Sequence, residues 1–416
     1  MKKSIFLAAL VLVSAGCFAQ KANVSKARNL SDSETPDFAG ARAAINLALE
    51  NDETKDLANT WYVAGYVGYK EYDAANLNRQ MGRAIDYAKW GEDVLESIKY
   101  WDKAYELAMI PTYDKKGRAK YDTRTPNLII PKLMEYYNSA ALLYAGQEAY
   151  SNSDYSKAYE MYMAHVSIPQ SKVVKADAKT AAKFVLDTNY YQNLYYAARF
   201  AYEAKRYDEA LAAFELMNSE HAAVNAHHNE VISSNMYVYQ IYMDQNDTTK
   251  AVEYLQFCIN KFPEESWFVQ NLINVYINSN KVDEAIQTLE LAINREPNVG
   301  QYHLTKASIT AVIQGDYEKS FASYEKAIEI EPTNASFYHA YGIAYSDYAI
   351  KINDDAAYLS DKEYKVQKAK SDAILAKALP YCQKAYELEP TNDEYKRTLR
   401  TIYYRLNMMS EYEALR

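Results

Sequence analysis

Few side chains in this sequence are placed to do chemistry. His221, His227, His228 and Glu230 fall within one short stretch, SEHAAVNAHHNEV, and imidazole with carboxylate is a donor set for a divalent cation. The spacing matches no standard zinc set and no second ligand cluster accompanies it, so a surface connector is the reading carried forward, with a divalent site as its alternative. Cys258 and Cys382 stand far apart in the chain and read as small buried apolar residues, not as a bridge or a metal pair. There is no glycine-rich phosphate loop, no serine or cysteine nucleophile motif and no H-E-x-x-H. Carboxylate pairs lie on polar faces or in turns. No cofactor and no enzymatic activity are expected.

The elements that position these residues are helical and periodic. Pro263, Pro297 and Pro332 close the segments AVEYLQFCINKFP, AIQTLELAINREP and SFASYEKAIEIEP. The intervals are 34 residues (297 − 263) and 35 (332 − 297). Helical text with a fixed period in that range is the signature of stacked helix pairs, each of which leaves an apolar face for the next to cover. The predicted fold is all-α, an α-α superhelix of roughly seven to eight helix pairs with two insertions.

The chain has 416 residues, 49% of them apolar, and 42 tyrosines against 11 Phe and 4 Trp. Tyrosine packs between helices while its hydroxyl reaches a polar partner. The formal charge is −9, which argues against nucleic acid, whose binding requires basic neutralisation of phosphates. Residues 1–19 read as a signal peptide: Lys2 and Lys3, a short apolar run from Ile5, and small residues before a cut after Ala19. Lipid attachment at Cys17 is the alternative, although Ser14 sits where a lipobox has Leu. No other run approaches the length of a membrane span.

Six segments follow. Residues 1–19 are the signal peptide and 20–34 a polar, flexible tether. Residues 35–126 are divergent repeats holding an insertion and a loop with five basic residues (Lys115, Lys116, Arg118, Lys120 and Arg124), which is either a solvated connector or an arm for an acidic partner. Residues 127–230 are the middle repeats, 231–334 the regular core, and 335–416 an interrupted repeat with a charged capping helix. The insertions are placed near 70–94 and 351–372. Between the first insertion and the loop, a second helix is predicted over 95–110.

The pattern resembles the tetratricopeptide repeat family. Trp61, Ala64 and Gly65 match the start of its motif, Gly146 and Gly342 its helix crossing, and Ala158, Ala210 and Ala285 its second helix. More narrowly, the chain looks like the exported tetratricopeptide proteins of Gram-negative bacteria. That resemblance implies protein partners, no activity of the chain's own and a periplasmic or outer-membrane-associated location. It also implies a concave groove lined by the first helix of each pair. Carried over residue by residue, the lining is Asn59, Tyr62, Tyr66 and Tyr69, then Gln147 and Tyr150, then Gln192, Tyr195, Arg199 and Tyr202. Met236, Gln240 and Met243 continue it, followed by Trp267, Gln270, Asn274, Tyr302, Thr305 and His339. Asn274 stands where the family's carboxylate clamp has an asparagine, but no clamp lysine accompanies it. The expectation is a scaffold that binds an extended protein segment in a tyrosine-rich groove. A glycan or nutrient-binding protein is the alternative, because tyrosine also stacks on sugar rings.

Overall fold

Most helices start where a short polar side chain can cap them. Asp37, Asp86, Asp154, Asp187, Asp247 and Asp316 each accept a backbone N–H from the first turn that follows. The turns between paired helices share a second device. Ser153, Lys205, Asn280 and Gly315 all stand at φ between 57° and 70°, two residues past a first helix. A left-handed residue there ends one helix and swings the chain into its antiparallel partner.

The structure is a computed structural model and describes residues 21–219 and 228–416. The chain divides after Gln245 into two compact units. In the first, α1 spans 21–31, α2 Phe38–Leu49, α3 Ala58–Gln80, α4 Tyr87–Ala108, α5 Arg124–Asn138 and α6 Ala141–Ser151. Then come α7 Tyr155–Ser167, the short α8 Lys172–Lys175 and α9 Ala178–Ala181, α10 Thr188–Glu203, α11 Tyr207–Ser219 and α12 His228–Asp244. A two-stranded hairpin, β1 Thr112–Tyr113 with β2 Ala119–Lys120, separates α4 from α5. In the second unit, α13 is Thr248–Lys261, α14 Ser266–Asn278, α15 Val282–Arg295 and α16 Gly300–Ser308, which runs into a π-helical turn at Ile309–Ile313. The remainder is α17 Tyr317–Ile330, α18 Ala335–Asp355, α19 Asp361–Leu388, α20 Asp393–Arg405 and α21 Met409–Ala414. Each unit is a stack of helix pairs, the all-α repeat architecture expected.

Three segments differ from their sequence reading. The stretch taken as a tether is helical over 21–31, and Val24, Ala27 and Ser31 are buried against α2 and α3. Their spacing gives one narrow stripe of small side chains, too weak to stand out among polar neighbours. Neither insertion is a separate element. α3 and α4 simply run on, as do α18 and α19, so each is an elongated helix pair. In the first of these, Trp90 packs flat on Tyr72 with ring centroids 5.6 Å apart, which continues the pair interface beyond the repeat length. The helix predicted over 95–110 therefore begins at Tyr87, capped by Asp86.

The helix crossings need residues without bulk. A Cβ added at Gly342 would lie 2.4 Å from Cys382 Sγ, and one at Gly146 2.6 Å from the Tyr162 ring. Ala210 and Ala285 are fully buried. Gly342→Ala and Ala285→Trp are therefore expected to lower unfolding free energy by about 1–3 kcal/mol each through overpacking. Denaturant melts that match the parent would refute these crossings.

Candidate binding surface

On α3, Tyr62, Tyr66 and Tyr69 recur at helical spacing and share one face. Tyr62 is only 3% exposed and belongs to the core. The Tyr66 hydroxyl donates to Asp32 Oδ1 at 2.7 Å, and Arg28 of α1 sits 5.2 Å over its ring. The Tyr69 hydroxyl donates to Glu135 Oε2 at 2.9 Å, with Lys132 of α5 4.8 Å over the ring. Burial, reinforced by these carboxylates, pushes both phenols well above their ordinary range. Tyr136 of α5 stacks on Trp101 at 5.6 Å and donates its hydroxyl to Ser97 Oγ at 3.0 Å. The chain's own α1 and α5 thus meet the face that was predicted to line a groove. This is a correction: α5 follows the basic loop in sequence, and nothing local shows that it folds back on α3.

The face of α10 is more open. Tyr195, Arg199 and Tyr202 lie along it, all half-buried. The Tyr202 hydroxyl donates to Asp244 Oδ2 at 3.0 Å, and Gln240 Nε2 donates to Asp244 Oδ1 at 2.8 Å. Burial, then the Asp244 bond, pushes the Tyr202 phenol up to about 12. Tyr237 stands between them, 5.1 Å from the Tyr202 ring, 6.4 Å from Tyr195 and stacked on Phe214 at 5.5 Å. Sequence reasoning missed Tyr237 because the α12 row was set one position away, on Met236 and Gln240. Met236 is half-buried and Gln240 exposed. Arg199 has a buried Nε with no hydrogen-bond partner, and its guanidinium has no ion pair among the described residues. Tyr150 of α6 is exposed, its ring 5.1 Å from Phe200.

In the second unit, Gln270 and Asn274 are exposed on α14, and half-buried Trp267 stands edge-on to Phe268. Tyr302 and His339 are buried, so neither is open to a ligand. Tyr302 instead walls a cleft of about 480 Å³ with Leu272, Ala292 and Arg295. The tyrosine row of the sequence reading therefore splits. Tyr62 and Tyr302 are core, Tyr66 and Tyr69 are tied down, and Tyr150, Tyr195, Arg199, Tyr202, Met236, Gln240, Trp267, Gln270 and Asn274 keep some access.

No group of His, Cys, Asp and Glu that could hold a metal occurs among the described residues. His221 and His227 of the suspected cluster lie outside them, as does the signal-peptide segment with Cys17. Both remaining thiols are buried, and burial pushes Cys258 and Cys382 up to about 12, far from a reactive thiolate. Within the described residues no helix is long and apolar enough to cross a membrane. A polar cleft of about 410 Å³ opens beside His165, lined also by Asn138, Asp187 and Asn189. His165 stacks on Tyr137 at 5.1 Å, and burial lowers it to about 4, so its imidazole is neutral.

These helix pairs define an α-helical repeat scaffold. Two repeat families match: a tetratricopeptide repeat over 242–309 and a TPR repeat over 312–347. The chain thus carries tetratricopeptide repeats over these residues, and such repeats build protein–protein interaction scaffolds that are generally non-enzymatic. Among solved structures, MamA from Desulfovibrio magneticus RS-1 is similar at 16% identity, covering 44% of this chain and 86% of its own, with a TM-score of 0.31. A TPR repeats protein from Bacteroides fragilis has 18% identity, 62% and 95% coverage and a TM-score of 0.31. YrrB, described as a TPR protein with an unusual peptide-binding site, has 15% identity, 53% and 96% coverage and a TM-score of 0.30. No curated protein matches the chain.

Tyr62→Ala and Tyr302→Ala should each cost about 3–5 kcal/mol of stability, as large-to-small core changes do. Tyr150→Ala and Gln270→Ala should stay within about 0.5 kcal/mol. Denaturant titration separates the two groups. His165 carries a pH prediction. Its folded value near 4 lies below the ordinary 6.5, so the unfolded chain binds the proton first. The stability this neutral ring supplies is complete above pH 6.5 and is lost as pH falls toward 4, by about 3 kcal/mol in full. Comparing melts at pH 7 and 4.5, His165→Phe should lose less stability than the parent.

Proposed function

We propose that the protein is an exported scaffold of the cell envelope that holds an extended segment of a partner protein against the α10–α12 face. The observation that carries this is Arg199. Its guanidinium lies half-buried on the same face as Tyr195 and Tyr202, yet no carboxylate of the described chain pairs with it. Its terminal nitrogens make no hydrogen bond within the described chain, and a backbone carbonyl of a docked segment would supply one. The half-open rings of Tyr195 and Tyr202 add rigid contact area at small entropic cost. Gln240 and Met236 on the neighbouring helix supply an amide and a pliable apolar contact. The tetratricopeptide repeats support a protein as the ligand class, and the leader-like text of residues 1–19 supports export.

The test is crosslinking capture by tagged full-length protein from its native envelope. Parent protein is compared with a variant carrying Tyr195→Ala, Arg199→Gln and Tyr202→Ala, both checked by thermal melt. A partner protein held by the parent and reduced about tenfold or more in the folded variant is the expected result. Equal capture by both would remove the α10–α12 face from recognition. Polysaccharide-affinity gels that retard the parent but not the variant would turn the reading to a glycan.

A further inference from the structure

The basic stretch between α4 and α5 forms a two-stranded hairpin. β1 and β2 pair antiparallel, Thr112 opposite Lys120 and Tyr113 opposite Ala119. Asp114 organises the turn: its Oδ1 accepts from Lys116 N at 2.8 Å and Arg118 N at 2.9 Å, and its Oδ2 accepts from Arg118 Nε at 2.7 Å. Gly117, at φ 72°, makes the reversal and donates to the Asp114 carbonyl. Asp122 is spent at the other end, where it accepts from Arg124 N and from Thr125 at the start of α5. Both acids of the arm thus serve its own backbone.

The cations do not. Lys115, Lys116 and Lys120 are exposed and have no ion pair among the described residues, and Arg118 stays largely exposed beside Asp114. Tyr113 and Tyr121, 70% and 53% exposed, flank them. This positive, aromatic arm belongs to a chain of net charge −9. We propose that the hairpin is a second docking site, separate from the α10–α12 face, for an acidic segment of a partner protein.

Charge complementarity selects the occupant. A narrow acidic segment needs to meet only the hairpin, whose field is felt within about 8 Å at physiological salt. A broad anionic surface would bring acidic parts of the chain into range as well and be repelled. The fixed turn also lowers the ordering cost that a loose lysine loop would incur on binding.

The experiment uses full-length protein and a fluorescein-labelled oligoglutamate peptide, read by anisotropy at low and at physiological salt. Binding by the parent should weaken with salt and fall about tenfold in a variant with Lys115→Gln, Lys116→Gln and Lys120→Gln. Tyr113→Ala with Tyr121→Ala should weaken it by a smaller factor. Equal binding by parent and lysine variant, or no binding by either, overturns the proposal. So does hairpin-dependent binding to phosphatidylglycerol vesicles without binding to the peptide, which would assign the arm to a membrane. Arg199→Gln should leave peptide affinity unchanged. Loss there would place the peptide on the α10–α12 face and refute a separate site, whereas failure of the capture experiment alone would leave the hairpin standing.

Discussion

Two helices can touch backbone to backbone only where one of them has no side chain, and this structure is organised around such points. A Cβ at Gly65 would lie 2.4 Å from the Trp101 indole nitrogen, and one at Gly91 2.4 Å from Ala145 Cβ. Close approach there lets a large ring sit beside the contact and reach across it. Trp101 Nε1 donates to the Tyr62 carbonyl, and Trp90 Nε1 to the Tyr72 carbonyl, both at 3.2 Å. Each indole thereby bonds to the backbone of its partner helix, and bulk and polarity are satisfied together. Side chains on the outer faces of such a pair inherit fixed positions, which is what a recognition surface requires.

The abundance of tyrosine follows from the same geometry. A ring wedged between helices needs a polar partner for its hydroxyl, and this chain supplies one repeatedly. Tyr66 reaches Asp32, Tyr69 reaches Glu135, Tyr136 reaches Ser97, and Tyr341 reaches Glu325. Phenylalanine would bury similar area but could not close these links between helices. For these tyrosines the role is structural. On the more open α10 face it is Arg199, not an aromatic, that lacks an ion pair among the described residues.

What the sequence made legible was whatever is encoded within one repeat. The prolines after α13, α15 and α17 and the small residues at the crossings are local, and each sits where the pattern placed it. What stayed hidden depends on contacts distant in sequence. The rows on α3 and α10 have the same spacing and, Arg199 apart, similar residue types, yet α1 and α5 meet one and not the other. That difference arises from Lys132, Glu135 and Tyr136, which read as an ordinary polar and aromatic helix until it is folded back. Tyr237 was lost for a smaller reason: one position of helical phase is about 100°, enough to exchange a half-buried ring for its neighbour. The elongated pairs were read as insertions because the period was broken, although Trp90 and Val94 keep the apolar stripe going.

The two concentrations of charge in the first unit show how partnering decides use. Arg42 of α2 bonds Glu71 of α3 and reaches Asp93 and Glu96 of α4 at 3.0 and 2.7 Å, and Lys89 joins Asp93. Asp93 is nearly fully buried there, and burial holds its carboxyl above the usual carboxylate range despite two cations. Desolvation offsets most of what such pairs gain, so the cluster adds little net stability. Its effect is directional: a shift of α2 along α3 and α4 would strand a buried charge. In the hairpin the arrangement is reversed. The carboxylates are committed to turn and cap, and the lysines are exposed with no ion pair among the described residues. Charges answered inside the fold set its register, whereas exposed cations with no ion pair among the described residues stay accessible from solvent.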